Sequence, residues 1–540
     1  MKVIKPNTIA YPDGSFSRGT IGTYFDAAGI IQTAGIDVPR FTYNPTTLAF
    51  EGLLIEPAST NLLLYSAQFD NAAWVPFGAK NIVANSTVAP DGTATADTLS
   101  DVSSVAFQGI TQSTTVSTGT QAYTASCYVR KTTGGTSATF GLNFGISGGT
   151  SVAVNARFNT DTGITIGGSG IVQDCGIYWR FSCSVTNNNT AGNTSLSLGI
   201  FPSTGTYNSG SDVVTATGSV ILWGAQVEAG TKATSYIATT SASVPRNTDV
   251  ITGTGLIYTT ATDPNPLYSS GTTYALDAVV RYNGVIYQSL QASNTNHQPD
   301  ISPTWWIELY ADNMHAAFDI QTSTISSAIT SMTFVVKPGS FDSAALINLE
   351  TALVQIAVSD DNTKQLVYNS SAGLADSTLQ DWYQYFFYDP LVHRTQVVFY
   401  NIPPYTEAVV TIRLSGSALS IISIAQAIFG TIASLGGTQY GAQAGIVDYS
   451  RKDTDEFGTI SFTKRAFSKR LTADIYINNA ELNRIQNYLY NIRATPTVWI
   501  ASDDPQLEEV SIIWGFYRDF STTISYPSHS LCNLQIEGLT

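Results

Sequence analysis

Short runs that alternate an apolar residue with Ser or Thr, each closed by a turn residue, constrain this chain more than any other feature. Examples are Ala122–Val129, Ala138–Phe144, Ser151–Phe158, Tyr178–Val185 and Ser195–Phe201. Successive side chains of a strand point to opposite faces, so a period of two marks a half-buried strand. Turn signals such as Asp161-Thr162-Gly163 separate the runs. Regular short strands between turns predict a sandwich or barrel in place of βαβ units. No helical period is sustained anywhere before residue 250.

The remaining organisation follows from shifts in this pattern. Residues 1–15 read as an N-terminal arm and 16–250 as an antiparallel β-sandwich. Residues 251–266 pass through Gly, Thr and Asp263-Pro264-Asn265-Pro266, which reads as a linker. A compact aromatic block spans 267–311, and 312–540 is a second β-rich region with one helix predicted over 478–493. In that helix Leu482, Ile485, Leu489 and Ile492 recur at helical spacing, and Asn478 is placed to cap with Glu481 three residues on. The expected fold class is mainly β: a sandwich, a small β module, and a β-dominated α+β C-terminal region.

Charge narrows the function. Only 12% of residues are charged, against about 25% in an ordinary soluble domain. The formal net charge is −15, and the one dense basic stretch, Lys464-Arg465 through Lys469-Arg470, is interleaved with Phe462 and Phe467 like an ordinary strand. Nucleic acid binding needs a basic stripe, so no nucleic acid partner is expected. Cys127, Cys175, Cys183 and Cys532 are too few for a disulfide framework and read as buried thiols. The residues from Met1 to Pro6 lack the apolar core of a secretion signal, which fits release by lysis. The uncharged run Ala418–Leu435 approaches the length of a membrane span, but Ser420, Ser423, Gln426, Thr431 and Ser434 interrupt it. Buried strands account for it better.

Tests for catalytic and metal chemistry are negative at the sequence level. His297, His315, His393 and His529 lie far apart without a partner at metal-ligand spacing, and read as loop or surface histidines. Asp453-Thr454-Asp455-Glu456 lacks the final glutamate of a calcium loop and reads as a charged hairpin tip. Asp360-Asp361, Asp503-Asp504 and Glu508-Glu509 are adjacent, and neighbours on a strand face opposite ways, so adjacency does not build a two-carboxylate site. No catalytic residue, metal or cofactor is expected. The enzymatic alternative is a polysaccharide depolymerase, but no repeat of a parallel β-helix is seen.

The N-terminal region carries an ordered series of motifs: Phe16-Ser17-Arg18, Thr23-Tyr24-Phe25-Asp26, Val38-Pro39-Arg40-Phe41, Gly52-Leu53-Leu54-Ile55-Glu56 and Thr60-Asn61-Leu62-Leu63. Trp74, Pro90-Asp91-Gly92-Thr93, Trp223-Gly224-Ala225-Gln226-Val227-Glu228, Tyr236-Ile237 and Pro245-Arg246 continue it. This series, over about residues 12–249, resembles the lectin-like jelly-roll domains of tailed-bacteriophage tail and fibre proteins. The resemblance implies virion attachment and supplies no catalytic residues. In the sandwich, Trp223 is expected on an inward strand face, with Arg18 or Arg40 fixing the entry segment by hydrogen bonds.

The middle block reads Tyr268, Tyr274, Asp277, Tyr282-Asn283-Gly284, Tyr287-Gln288, Asn294, Pro299 and Trp305-Trp306. It resembles the small chitin-binding-type carbohydrate-binding module of chitinases and phage tail proteins, although the usual first Trp is missing and only Pro264, Pro266 and Tyr268 stand there. The resemblance implies sugar contact through Tyr274, Tyr282, Asn283, Tyr287, Gln288, Trp305 and Trp306. Aromatic faces would stack on sugar rings while amides take hydroxyls. A unit this small also needs a core, so one of Trp305 and Trp306 is expected to be buried. The alternative role is a spacer.

The C-terminal region, with Trp382-Tyr383-Gln384-Tyr385, Arg465-Ala466-Phe467 and Gly515-Phe516-Tyr517-Arg518, also resembles proteins of phage tail tips. Taken together these readings predict a non-enzymatic tail protein at the distal end of the virion. It would be oligomeric, contact other tail proteins, and attach to host cell-surface polysaccharide. A purely structural tail-tip or baseplate role is the alternative.

Overall fold

The computed structural model describes residues 1–9, 13–132, 138–205, 212–374, 394–454, 459–504, 507–524 and 526–539. The chain forms two compact units, Phe16–Val250 and a second made of Met1–Ser15 with Ile251–Thr540. Both are built of antiparallel sheets with little helix, so the protein is mainly β.

In the Phe16–Val250 unit two six-stranded sheets face each other. One runs in the order Ile171–Cys175, Tyr178–Thr186, Ala122–Arg130, Gly218–Ala229, Ala96–Asp101, Asn81–Thr87. The other runs Thr165–Gly167, Val152–Asn159, Thr139–Ser147, Ser195–Phe201, Gly109–Thr115, Val75–Phe77. Alternation sends Phe140, Leu142, Phe144 and Ile146 inward from one sheet and Ala125, Cys127 and Val129 inward from the other. Phe158 and Phe181 close the core with ring centroids 4.4 Å apart. The four cysteines are buried and unpaired, and burial pushes the Cys127 thiol up to about 12.

Trp223 is buried, but not in the sandwich interior as expected. The pairing of Gly218–Ala229 with Ala122–Arg130 slips between Ser126 and Tyr128, and Gly224 sits at φ +62. Such a bulge inserts a residue and re-aims its neighbours. Leu222 and Ala225 therefore reach the core, while Trp223 turns outward onto Tyr128 and Tyr236 (5.6 and 4.4 Å between centroids) with Ile31 beside it.

The entry segment is held by buried charge, and both expected arginines take part. Arg18 pairs with Asp249 at 3.1 Å, and Arg40 bridges Asp249 (2.5 Å) and Glu56 (2.8 Å). Arg246 reaches the same Glu56 at 2.7 Å. Burial alone would raise the Glu56 carboxyl; Arg246, Arg40 and two hydrogen bonds from Ser235 outweigh it and hold the group below the usual range.

The second unit departs from the sequence reading at three places. Residues 1–15 are not a free arm, because Lys2–Pro6 is an interior strand of the largest sheet, with Ile4 opposite both Ile432 and Val498. The 251–266 stretch is not purely a linker, because Gly255–Thr259 pairs with Ser331–Lys337 at the edge of a five-stranded sheet. The helix spans Leu482–Asn491 and no side chain caps it. Asn478 instead ends the strand Phe467–Asn478 opposite His529, and its Oδ1 accepts the Ala480 N–H.

The apolar run near 418–435 becomes the strand Ile421–Ser434, which is covered on both faces. Ile422, Ile424 and Phe429 enter one core cluster, while Ile428 and Ile432 pack in another. A strand buried on both sides loses its alternation, which explains the resemblance to a membrane span. Among the described residues no helix is long and apolar enough to cross a membrane.

Candidate functional site

The aromatic block folds around a tight hairpin. Asn283 and Gly284 both have positive φ (50 and 78), the geometry of a two-residue turn that keeps flanking strands in twist. That turn joins Val279–Tyr282 to Val285–Ser289, which pairs in turn with Trp306–Ala311. A Cβ on Gly284 would lie 3.0 Å from the His315 ring, so glycine is needed for space as well as for φ.

The seven sugar-contact candidates do not form one surface. Trp306 is 2% exposed and donates its Nε1–H to the His297 carbonyl at 2.7 Å. Tyr274 and Tyr287 are buried with it, and Tyr274 accepts the Ser269 N–H at 2.7 Å. These three rings are the core that so small a unit requires. Tyr282 and Asn283 stay half-buried, with Asn283 Nδ2 3.4 Å from Asp300. Trp305 is half-buried with His297 stacked on it at 3.8 Å and 10°. Gln288 alternates with Tyr287 along their strand and is tied to Asp277 at 2.9 Å. The block thus offers Tyr282, Asn283 and one side of Trp305.

The described histidines are more engaged than loop residues would be. His529 stacks on Tyr476 and Tyr526, and His315 lies 2.6 Å from Asp312 and 3.0 Å from Asp13. Burial works to lower the His315 pKa, but the two aspartates prevail and raise it to about 9. His393, the Trp382 to Tyr385 motif and Asp455-Glu456 lie outside the described residues.

The adjacent carboxylates are consumed by local structure. Asp360 accepts from Thr363 in its own turn, Asp361 pairs with Lys337 and Lys364, Asp503 with Lys2, and Glu508 with Arg394. Glu509 binds the backbone N–H and hydroxyl of Thr395. Among the described residues no group of His, Cys, Asp or Glu is placed to hold a metal ion.

A second candidate lies on the outer face of the sandwich sheet that contains Thr139–Ser147. In this strand the inward residues are Phe140, Leu142, Phe144 and Ile146, so Gly141, Asn143, Gly145 and Ser147 face out. The register extends them into rows: Val75, Thr111, Gly199, Asn143 and Asn155 in one, Ser113, Ser197, Gly145 and Ala153 in the next. Short side chains leave a trough of about 300 Å³. Phe77, 51% exposed, stands at one end against Phe201 at 5.4 Å. Asn143 Oδ1 is sealed from solvent and accepts no hydrogen bond. A Cβ on Gly199 would meet the Phe201 ring at 3.0 Å and begin to fill the floor. The alternation of Phe-Gly-Leu-Asn-Phe-Gly-Ile-Ser carried this signal in the sequence.

No protein-family model matches the chain, and no curated protein matches it. Among solved structures, the CBM22-1-GH10 modules of a Clostridium thermocellum endo-1,4-beta-D-xylanase complexed with xylohexaose align at 17% identity and TM-score 0.21. That alignment covers 34% of this chain and 30% of the xylanase chain. A CBM22 tandem from Paenibacillus barcinonensis aligns at 10% identity and TM-score 0.22, over 69% of this chain and 98% of that one. The ANX2 ectodomain of Arabidopsis thaliana aligns at 9% identity and TM-score 0.16, over 67% and 91%.

Proposed function

We propose that the protein is a non-catalytic attachment protein of a tailed-phage tail, holding host cell-surface polysaccharide through several weak sites. The observation that carries the polysaccharide reading is the outer trough of the sandwich. It is open, floored by Gly, Ala and Ser, and bordered by amides and an exposed Phe ring. An open, largely apolar trough with an exposed Phe ring at one end accommodates an extended sugar chain, whose apolar ring faces stack while hydroxyls meet Asn155 and Thr111. Phage origin draws its support from the ordered motifs over about residues 12–249. Asp360, Asp361, Asp503, Glu508 and Glu509, tied up in structural bonds, favour a binding role over hydrolysis.

Weak sites suit such a protein. One aromatic contact contributes roughly 0.5–1.5 kcal/mol, which leaves a single shallow site near the millimolar range. Many copies on one virion raise the effective concentration. A structural tail-tip role is favoured by one observation, the hairpin Arg451–Thr454 with Ile460–Thr463, where Phe462 is 75% exposed. Binding of the full chain to host-cell polysaccharide tests the proposal. Phe77→Ala and Asn143→Leu should each weaken it roughly two- to tenfold, with unchanged circular dichroism. Unaltered binding in both variants would sink the trough as the site.

A further inference from the structure

Arg451–Thr454 and Ile460–Thr463 form a two-stranded arm that pairs with no other strand among the described residues. It lies beyond the ladder of Gln443–Asp448 with Phe467–Asn478, and nearly all its side chains are exposed. A lone two-stranded hairpin is marginal in water, so this one gains stability from whatever covers it. The register sorts its faces. Lys452 stands opposite Phe462 and Thr454 opposite Ile460, so these four share one side. Arg451, Asp453, Ser461 and Thr463 share the other, where Arg451 pairs with Asp453 at 2.7 Å. The arm therefore presents two exposed apolar side chains, Phe462 and Ile460, with one cation beside them.

The same unit holds a groove of about 750 Å³, well above the roughly 150 Å³ cavity that accepts a benzene ring. Ile329 and Ile421 stand opposite each other in the ladder and face outward, 66% and 67% exposed, while Ile422 and Ile424 face the core. Leu309, Tyr310 and Ile325 extend this apolar lining. Asn313 takes both the Ser327 N–H and its carbonyl, at 2.7 and 2.9 Å. That strand edge is closed, so an occupant must enter by its side chains. Among the described residues Asp263 is the one charged group of the lining, and its carboxylate accepts from the neutral Asn265 and Asn313.

We propose that the groove receives the arm of a second copy of this chain, with Phe462 and Ile460 against Ile329 and Ile421 and Lys452 beside Asp263. Charge favours a second copy as the occupant. Residues 443–470 hold six basic side chains against four acidic, in a chain that carries 25 against 40 overall. The arm is thus a basic element that any other copy, acidic as a whole, attracts. Arm and groove are different surfaces, so the contact is head-to-tail, and each copy can give one arm and receive another. The inference does not depend on polysaccharide binding.

Sedimentation velocity of the full chain over a concentration series reads the association. The mean mass of the parent chain should rise with concentration. Phe462→Asp and Ile421→Asp, both at exposed positions, should each weaken association about tenfold or more with unchanged circular dichroism. Ile329→Asp takes the place of Ile421→Asp if that variant fails to fold. Mixed together, the arm variant and the groove variant should pair one to one and stop there, because one keeps its groove and the other its arm. A parent chain that stays monomeric at every concentration overturns the proposal. If that monomer co-sediments with phosphatidylglycerol vesicles and Phe462→Asp does not, the arm is a membrane-surface element instead. Association that survives the groove substitution, or a mixture that fails to pair, overturns the groove as the seat of the arm.

Discussion

Replacing Asp249 by Asn should destabilise the Phe16–Val250 unit more than any surface change. The carboxylate sits with no exposed side-chain area between Arg18 and Arg40, themselves unexposed, at 3.1 and 2.5 Å. It also accepts the Glu56 backbone N–H at 2.8 Å. The Asn variant keeps the shape but leaves Arg18 without a carboxylate, whereas Arg40 retains Glu56. Stranding a buried charge in this way costs about 3–5 kcal/mol. For a unit of this size each kcal/mol moves the melting temperature by about 2–4 °C, so the transition should fall by about 6–20 °C. Differential scanning calorimetry of the full chain resolves the transition as one of several. Adding Arg18→Met should recover part of the loss, since it removes the stranded charge. A transition within about 2 °C of the parent would refute the reasoning and mean that water reaches the cluster.

Three further outcomes follow from named contacts. Trp306→Ala should unfold the aromatic block, at a cost of about 3–5 kcal/mol, while Trp305→Ala leaves it folded; loss of dispersed amide signals from residues 267–311 in NMR spectra of the full chain distinguishes the two. His315 has a folded pKa raised above its unfolded value, so its stabilising contribution is complete below about 6.5 and is lost as pH rises through about 9. Its ring signal should titrate near the higher value, and Asp13→Asn should bring it down. Glu56 is depressed, so its contribution is present above the usual carboxylate pKa of about 4.3 and fades as pH falls through its lower folded value. Acid unfolding monitored by circular dichroism should show that loss shift to higher pH in Arg246→Met.

Local pattern made the sandwich legible, and non-local pairing hid the rest. The runs around Ala122, Thr139, Tyr178 and Ser195 are strands because their alternation is a property of each run alone. Lys2–Pro6 is too short to declare itself, and its partners stand more than four hundred residues later. Trp223 was misplaced because a bulge at Gly224 reverses the face that simple alternation assigns. In the aromatic block, tyrosine and tryptophan serve equally as core and as ligand platform, and only the folded register shows Tyr274, Tyr287 and Trp306 to be core. The trough was written in the outward positions Gly141, Asn143, Gly145 and Ser147, residues whose smallness is easily mistaken for strand filler.

Polysaccharide held in the sandwich trough should shield the Phe77 ring at its end. Hydroxyl-radical footprinting of the full chain, with and without host-cell polysaccharide, addresses it most directly. Phe77 at 51% exposure should lose reactivity when polysaccharide is bound, while Phe462 at 75% exposure, on a hairpin of the other unit, should not change. Unchanged oxidation of Phe77 under saturating polysaccharide, or protection confined to Phe462, would rule out the trough as the polysaccharide site.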